Sequence, residues 1–234
     1  DITFRAISVL KSVDLILCED TRVTKKLLAR YEIQKPTMSY HTHSKLTKID
    51  KIFELLNQGK NLALVSDAGT PGISDPGAML VAQIKGRSLR ELPQGPSFGI
   101  KAIPIPGASS ARQDLAVRVI PIPGASAVVT ALSACGLPTH EFTFLGFLPH
   151  KKGRETLFKE IAVSERTMVF YESPHRILKT LESLVKFCPL KKVCIARELT
   201  KIYEEFKTGT PAEVLEYLNT NKEKQRGEFT VIVA

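Results

Sequence analysis

Short β-branched and apolar runs alternate along the chain with amphipathic segments, the pattern of an α/β fold. Val13–Cys18 (VDLILC) is a near-continuous apolar run, of the kind a strand covered on both faces requires. The placing of Val23, Leu27 and Leu28 against Arg22, Lys25, Lys26 and Arg30 predicts a helix over Thr21–Tyr31. A short strand at Thr37–Tyr40 comes next, then an amphipathic helix at Ile49–Leu56 closed by Gly59, and a strand at Asn61–Ser66 (NLALVS). Val119–Ile122 enters another strand, and Ser126–Cys135 reads as a small-residue helix starting just after Pro123-Gly124.

The second half repeats the alternation. Strands are expected at Phe142–Phe147, Thr167–Tyr171, Val193–Ala196, Tyr203–Lys207 and Phe229–Val233, with helices at Glu155–Ile161, Pro174–Phe187 and Pro211–Leu218. Pro174 and Pro211 suit a first helical turn, where a missing N–H costs nothing. One helix and a tight turn at Gly209–Pro211 separate the last two strands, so a mixed sheet is expected here and a parallel one in the first half. Gly136-Leu-Pro138 is the best punctuation, which divides the chain into domains 1–137 and 138–234. Gly86–Ala116 breaks the pattern. Its IPIPGAS at Ile103–Ser109 recurs at Ile120–Ser126, too close for a solenoid period, and the segment reads as an insertion carrying a partial copy of the residues just after it.

Charge changes the picture. Lys and Arg number 33 against 24 Asp and Glu, a net +9 that suits a polyanionic partner. The four cysteines, Cys18, Cys135, Cys188 and Cys194, form no Cys-x-x-Cys pair and lie in apolar surroundings, as reduced thiols of a cytoplasmic protein do. No apolar run approaches the ~20 residues that cross a bilayer, so no membrane partner is expected.

The chemistry concentrates at strand ends. Ser66–Gly77 (SDAGTPGISDPG) stands after a strand and before a helix, where α/β sheets bind ligands. Gly69, Gly72 and Gly77 allow close backbone approach, and Asp67, Thr70, Ser74 and Asp75 offer carboxylate and hydroxyl partners. The turn is neither a Walker A loop nor a dinucleotide fingerprint. Glu19, Asp20 and Arg22 close the first apolar run and would face the same crevice; Asp20 reads equally well as a helix N-cap. His41 and His43 share a face of extended chain, as a polar substrate loop or, without a third ligand, a poor metal site, so no metal is expected. Tyr171, Glu172, His175 and Arg176 gather at a strand-to-helix junction where Ser173 could cap. His150-Lys-Lys-Gly-Arg154 is either a solvated loop or a phosphate clamp.

The succession DITFRA, CEDTR, SYHTH, LVSDAGTPGISDPG, VIPIPGASAVVTALSACGLP, FTFLGFLP, FYESPHR, ARELTK and GEFTVIV resembles one family along nearly the whole chain. That family is the bacterial small-subunit (16S) rRNA cytidine 2′-O-methyltransferases of the tetrapyrrole-methylase superfamily. The resemblance implies a class III methyltransferase of two α/β domains, with S-adenosylmethionine in the cleft between them, and a homodimer. It implies that Asp67 and the run Gly69, Thr70, Pro71, Gly72, Ile73 and Ser74 hold the cofactor's methionine end, with Ser126, Ala127 and Tyr171 contributing from elsewhere. The substrate implied is a decoding-region cytidine of 16S rRNA or the small ribosomal subunit.

A ribose hydroxyl is a poor acid, so a base should accept its proton. Asp20 and Glu19 are the first candidates, Glu172 and His175 their competitors. Arg22, His41, His43, Lys151, Lys152, Arg154 and Arg176 are the candidates for RNA contact. The family opens on an apolar strand and a Thr-Pro-Ile-Gly-Asn loop just before the position of Asp1, and has only a short connection where Gly86–Ala116 stands. These departures leave room for an RNA-binding chain without cofactor. Another superfamily enzyme, acting on a tetrapyrrole or the diphthamide precursor, is the remaining alternative; the basic charge and the CEDTR, SYHTH and FYESPHR set favour rRNA.

Overall fold

The computed structural model describes residues 1–41, 46–75, 77–86 and 117–234. These form two compact units, the described residues up to Ala125 making the first and Ser126–Ala234 the second. The duplicated heptapeptide at 103–109 and most of the expected insertion lie outside the described residues, as does His43.

In the first unit the element order is α1 (Phe4–Ser12), β1 (Leu15–Cys18), α2 (Thr21–Arg30), β2 (Thr37–Ser39), α3 (Leu46–Asn57), β3 (Leu62–Val65) and α4 (Ala78–Ile84). The strands form a parallel sheet in the order β2-β1-β3, with Cys18 opposite both Ser39 and Val65. Side chains alternate across a strand, so adjacent apolar residues on β1 serve different cores. Ile16 packs with Leu10, Val13, Leu28 and Ile33, whereas Leu17 packs with Tyr40, Ile52, Phe53 and Leu80. That two-sided burial is why the first apolar run shows no polar alternation.

The second unit runs α5 (Ala127–Ala134), β4 (Phe142–Phe147), α6 (Arg154–Val163), β5 (Thr167–Glu172), α7 (Ile177–Phe187), β6 (Val193–Arg197), β7 (Glu205–Gly209), α8 (Pro211–Thr220), a 3₁₀ turn and β8 (Phe229–Val233). Its sheet has the order β4-β5-β8-β6-β7; β4 and β5 are parallel and every other pair is antiparallel. The expected parallel and mixed sheets are both present. One face of the mixed sheet buries Phe170, Ile195, Val231 and Val233 with Phe158, Ile177, Leu181, Leu184 and Leu218. The other buries Val169, Cys194, Ala196 and Ile232 with Val128, Ala131 and Leu132 of α5.

Three expected elements differ. Val119–Ile122 forms no strand, because Pro121 and Pro123 remove ladder donors, and Ile120 is left exposed. The helix expected from Pro174 starts at Ile177; residues 174–176 form a turn in which the amides of Arg176 and Ile177 both reach Ser173 O at 3.0 Å. The strand expected at 203–207 is displaced to Glu205–Gly209, after a stretch where Glu198 and Thr200 take positive φ. Pro211 does open α8, inside a capping box made by Thr210 and Glu213.

All four cysteines are buried and free, and burial pushes the thiols of Cys18, Cys188 and Cys194 up. No helix among the described residues is long and apolar enough to cross a membrane.

Candidate functional site

In the first unit β1 and β3 are parallel neighbours, so their carboxyl ends lie side by side and present CEDTR beside the glycine-rich turn. The turn leaves β3 at Ser66, whose hydroxyl donates to Ala68 O at 3.0 Å and Gly69 O at 3.3 Å. Gly69 and Gly72 take φ of +72° and +84°. Gly77 takes +142°, and a Cβ there would lie 2.7 Å from Leu64 Cδ2 and 3.4 Å from Gly72 N. Only a residue without a side chain closes this turn onto β3. Thr70 Oγ1 donates to Ala125 O at 3.2 Å, tying the turn to the second IPIPGAS segment.

The carboxylates around this turn differ sharply. Asp20 is the N-cap of α2, accepting from Arg22 N at 2.8 Å, and it also takes a two-pronged contact from the Arg22 guanidinium at 2.7–3.2 Å. The Arg22 contacts hold its carboxyl at about 2. Its own amide donates to Asp67 Oδ1 at 3.2 Å. Asp75 behaves in the opposite way. Burial and the charge of Glu19 push its carboxyl up to about 6, against a hydrogen bond with Ser66 and with a further upward push from Asp67. The sequence marks Asp75 as a partner in the turn but not as a base. The one signal it offers is the repeated Ser-Asp pair, whose second aspartate folds back onto the first serine.

The second unit holds the remaining candidates. Ser126 is the N-cap of α5 and its carbonyl accepts from Thr130 N, with Ala127 the first helical residue. Tyr171 packs edge-on to Phe144 at 5.0 Å and against Phe147 at 5.4 Å. His175 is exposed in the turn before α7, and Lys151 and Lys152 are exposed in the turn before α6. His41 is exposed just past β2 in the first unit.

Glu172, Arg154 and Arg176 stand differently from the sequence expectation. The Glu172 side chain has no exposed surface. It accepts from Thr180 Oγ1 at 2.6 Å and Ser173 N at 2.9 Å, and it pairs with Arg176 Nε at 3.3 Å and Arg154 at 3.9 Å. The carboxylate is buried and fully partnered, an ionic anchor between β5 and α7. The two arginines, expected at RNA phosphates, are largely buried against it. Arg154 also donates to Thr180 Oγ1 at 2.7 Å and Pro149 O at 3.3 Å, and Arg176 to Leu148 O at 2.7 Å and Pro149 O at 3.3 Å. Among the described residues no group of His, Cys, Asp and Glu gathers as metal ligands.

The family model of the tetrapyrrole (corrin/porphyrin) methylases matches residues 1–111 and 107–215. The ribosomal RNA small subunit methyltransferase I of Halalkalibacterium halodurans is 43% identical over 234 residues, covering 100% of this chain and 71% of that protein. Its Bacillus subtilis counterpart is 42% identical over the same length, covering 70% of that protein. The chain belongs to the ribosomal RNA small subunit methyltransferase I family. The solved structure of the methyltransferase CobJ matches 99% of this methyltransferase chain and 87% of its own, with a TM-score of 0.63 and 17% identity, which shows the common fold.

Proposed function

We propose that this chain transfers a methyl group from S-adenosylmethionine to the 2′-oxygen of a cytidine ribose in the decoding region of 16S rRNA. The observation that carries the reading is the 42–43% identity to small-subunit rRNA methyltransferases along the whole chain. The glycine-rich turn supports it. Gly77 closes the turn against Leu64, and Glu19, Asp67 and Asp75 offer negative charge suited to a cofactor bearing an ammonium and a sulfonium. Asp67 and the run Gly69 to Ser74 are the proposed holders of the methionine end. Ser126, Ala127 and Tyr171 are the proposed contacts on the second unit.

When bound, the cofactor supplies a methyl group already activated by its sulfonium. The protein's task is therefore to align and to accept one proton. Asp75 is the proposed acceptor of the 2′-hydroxyl proton. Its carboxyl titrates at about 6, near the range where a base is both free and effective, beside Glu19 at the carboxyl ends of β1 and β3. Asp20, held at about 2 by Arg22, stays ionised and takes up protons poorly; its proposed part is to set the position of Asp67 through its amide. Glu19 keeps Asp75 basic by its charge. Arg22, His41, Lys151 and Lys152 are the proposed RNA contacts, and the working form is proposed to be a cytoplasmic homodimer.

The test is methyl transfer from labelled cofactor to unmethylated small ribosomal subunits, followed by alkaline hydrolysis of the rRNA. Label in an alkali-resistant dinucleotide beginning with cytidine is the expected result. Label on a base, or transfer only to a small tetrapyrrole, overturns the reading. Light scattering of the purified chain checks the dimer.

A further inference from the structure

The turn at His150–Lys152 is enclosed by the ion cluster beneath it. The carbonyls of Leu148 and Pro149, which lead into it, accept from Arg176 at 2.7 Å and 3.3 Å. Arg154, just past the turn, reaches back to Pro149 O at 3.3 Å, while its own amide donates to Lys151 O at 3.2 Å. Both guanidiniums thus hold the carbonyls that enter the turn, the Arg154 amide holds its far end, and both guanidiniums pair with the one carboxylate of Glu172. Leu148 is buried, whereas His150, Lys151 and Lys152 are exposed.

Such a cluster is an expensive way to hold a fold together. A carboxylate taken fully out of water needs close partners, and an apolar side chain at the same place is often as stabilising or more so. Here the surplus donors of both arginines are spent on two carbonyls at a strand exit, which fixes the turn rather than the sheet. Two guanidiniums and one carboxylate leave one positive charge beneath the turn. The acidic residue at the start of α6, Glu155, is paired with Lys159 at 2.9 Å and feels Lys186 as well. Among the described residues no acidic side chain pairs with Lys151 or Lys152. The two exposed lysines of the turn present point charges suited to phosphates.

We infer that the buried Glu172–Arg154–Arg176 cluster is a positioning device that presents the His150–Lys152 turn, preformed, to the sugar-phosphate backbone of the substrate RNA. The inference rests on the rRNA reading above and gives that substrate a docking surface on the second unit. A turn already held in its bound shape loses little freedom on binding, which is what the ion cluster contributes. Glu172 and Thr180 are positioning residues; Lys151 and Lys152 make the contact.

The experiment measures binding of a small-subunit rRNA fragment across a salt series, with cofactor affinity, methyl-transfer kinetics and circular dichroism recorded on the same samples. The K151A/K152A double variant should lower the salt slope by about 2, one for each lost phosphate contact. Glu172→Gln, and the milder Thr180→Val in case the first unfolds, should weaken RNA binding and raise KM for RNA while kcat and cofactor affinity hold. Glu172→Gln should add little in the K151A/K152A background, because the two changes act through one turn. Additive losses in that background, or folded variants with unchanged RNA affinity, overturn the inference. So does a turn whose lysines matter for anionic phosphatidylserine vesicles and not for RNA. Wild-type transfer to small subunits is measured alongside: its absence overturns the rRNA reading itself, whereas wild-type transfer with additive losses overturns the positioning role alone.

Discussion

The amide of Asp20 donates to Oδ1 of Asp67 at 3.2 Å and so joins the carboxyl ends of β1 and β3. A backbone donor survives replacement of the Asp20 side chain by any residue but proline. Asp67→Ala should therefore separate the CEDTR segment from the glycine-rich turn in a way that Asp20 variants do not. A hydrogen bond to a charged acceptor contributes enough that loss of Asp67 should weaken cofactor binding about tenfold or more. Titration calorimetry with S-adenosylmethionine checks it.

Asp75 contributes to the pH response of the first unit near neutrality. Its carboxyl titrates at about 6, above the ordinary 3.8, so the folded state holds the proton more tightly than the unfolded one. That penalty is absent below the unfolded value and grows as pH rises to about 6, beyond which it is complete. Asp75→Asn should accordingly raise stability at pH 7.5, by at most about 1 kcal/mol once solvent screening is allowed for. The same variant should lower kcat by about 10²–10⁴ and erase the acid limb of the rate profile near pH 6. Urea unfolding at pH 4 and 7.5, with a pH–rate profile, measures both effects.

Asp20 should behave otherwise. Held at about 2 by Arg22, it remains a carboxylate across the working range, and its contribution to stability is lost only as pH falls through that value. Asp20→Asn retains a capping side chain for α2 and should leave the acid limb of the rate profile where it is. An acid limb that moved with Asp20→Asn would transfer the proton-accepting role from Asp75 to Asp20.

Gly77 carries the closing of the turn. With φ at +142° and Leu64 Cδ2 2.7 Å from where a Cβ would stand, Gly77→Ala adds both backbone strain and a clash. The expected loss is about 2 kcal/mol or more, from overpacking and an unfavourable conformation together. Thermal unfolding gives the stability change, and cofactor binding should fall with it, since the same turn would have to open.

Much of the fold is legible in the residues, for reasons that also explain what is not. β1 reads clearly because both Ile16 and Leu17 are buried, on opposite faces. α1 goes unexpected in the sequence: only Leu10 among its nine residues is fully buried, while Ile7 and Val9 pack half-covered beside it and Phe4 lies in solvent. The strand expected at Val119–Ile122 fails on the two prolines in and beside its apolar run. The glycine-rich turn stands out by its density of special residues, but the state of Asp75 depends on Glu19, brought beside it only by the pairing of β1 with β3. Arg154 and Arg176 look like surface cations in any local window. Only the four-residue spacing of Glu172 and Arg176 hints at a pair, and nothing in the chain announces that Glu172 is buried.

The order of the mixed sheet has a consequence for how the second unit is made. β8 lies between β5 and β6, pairing with both, although it is synthesised after every other strand of that sheet. On the ribosome the β4–β5 pair and the β6–β7 hairpin can form as they emerge, but they have no ladder to each other until residues 229–233 arrive. Until β8 emerges each half exposes a strand edge, the kind of surface that recruits chaperones or a wrong partner. Completion of this sheet waits on five residues, and a nascent chain stalled before Phe229 would hold two sheet fragments with no ladder between them.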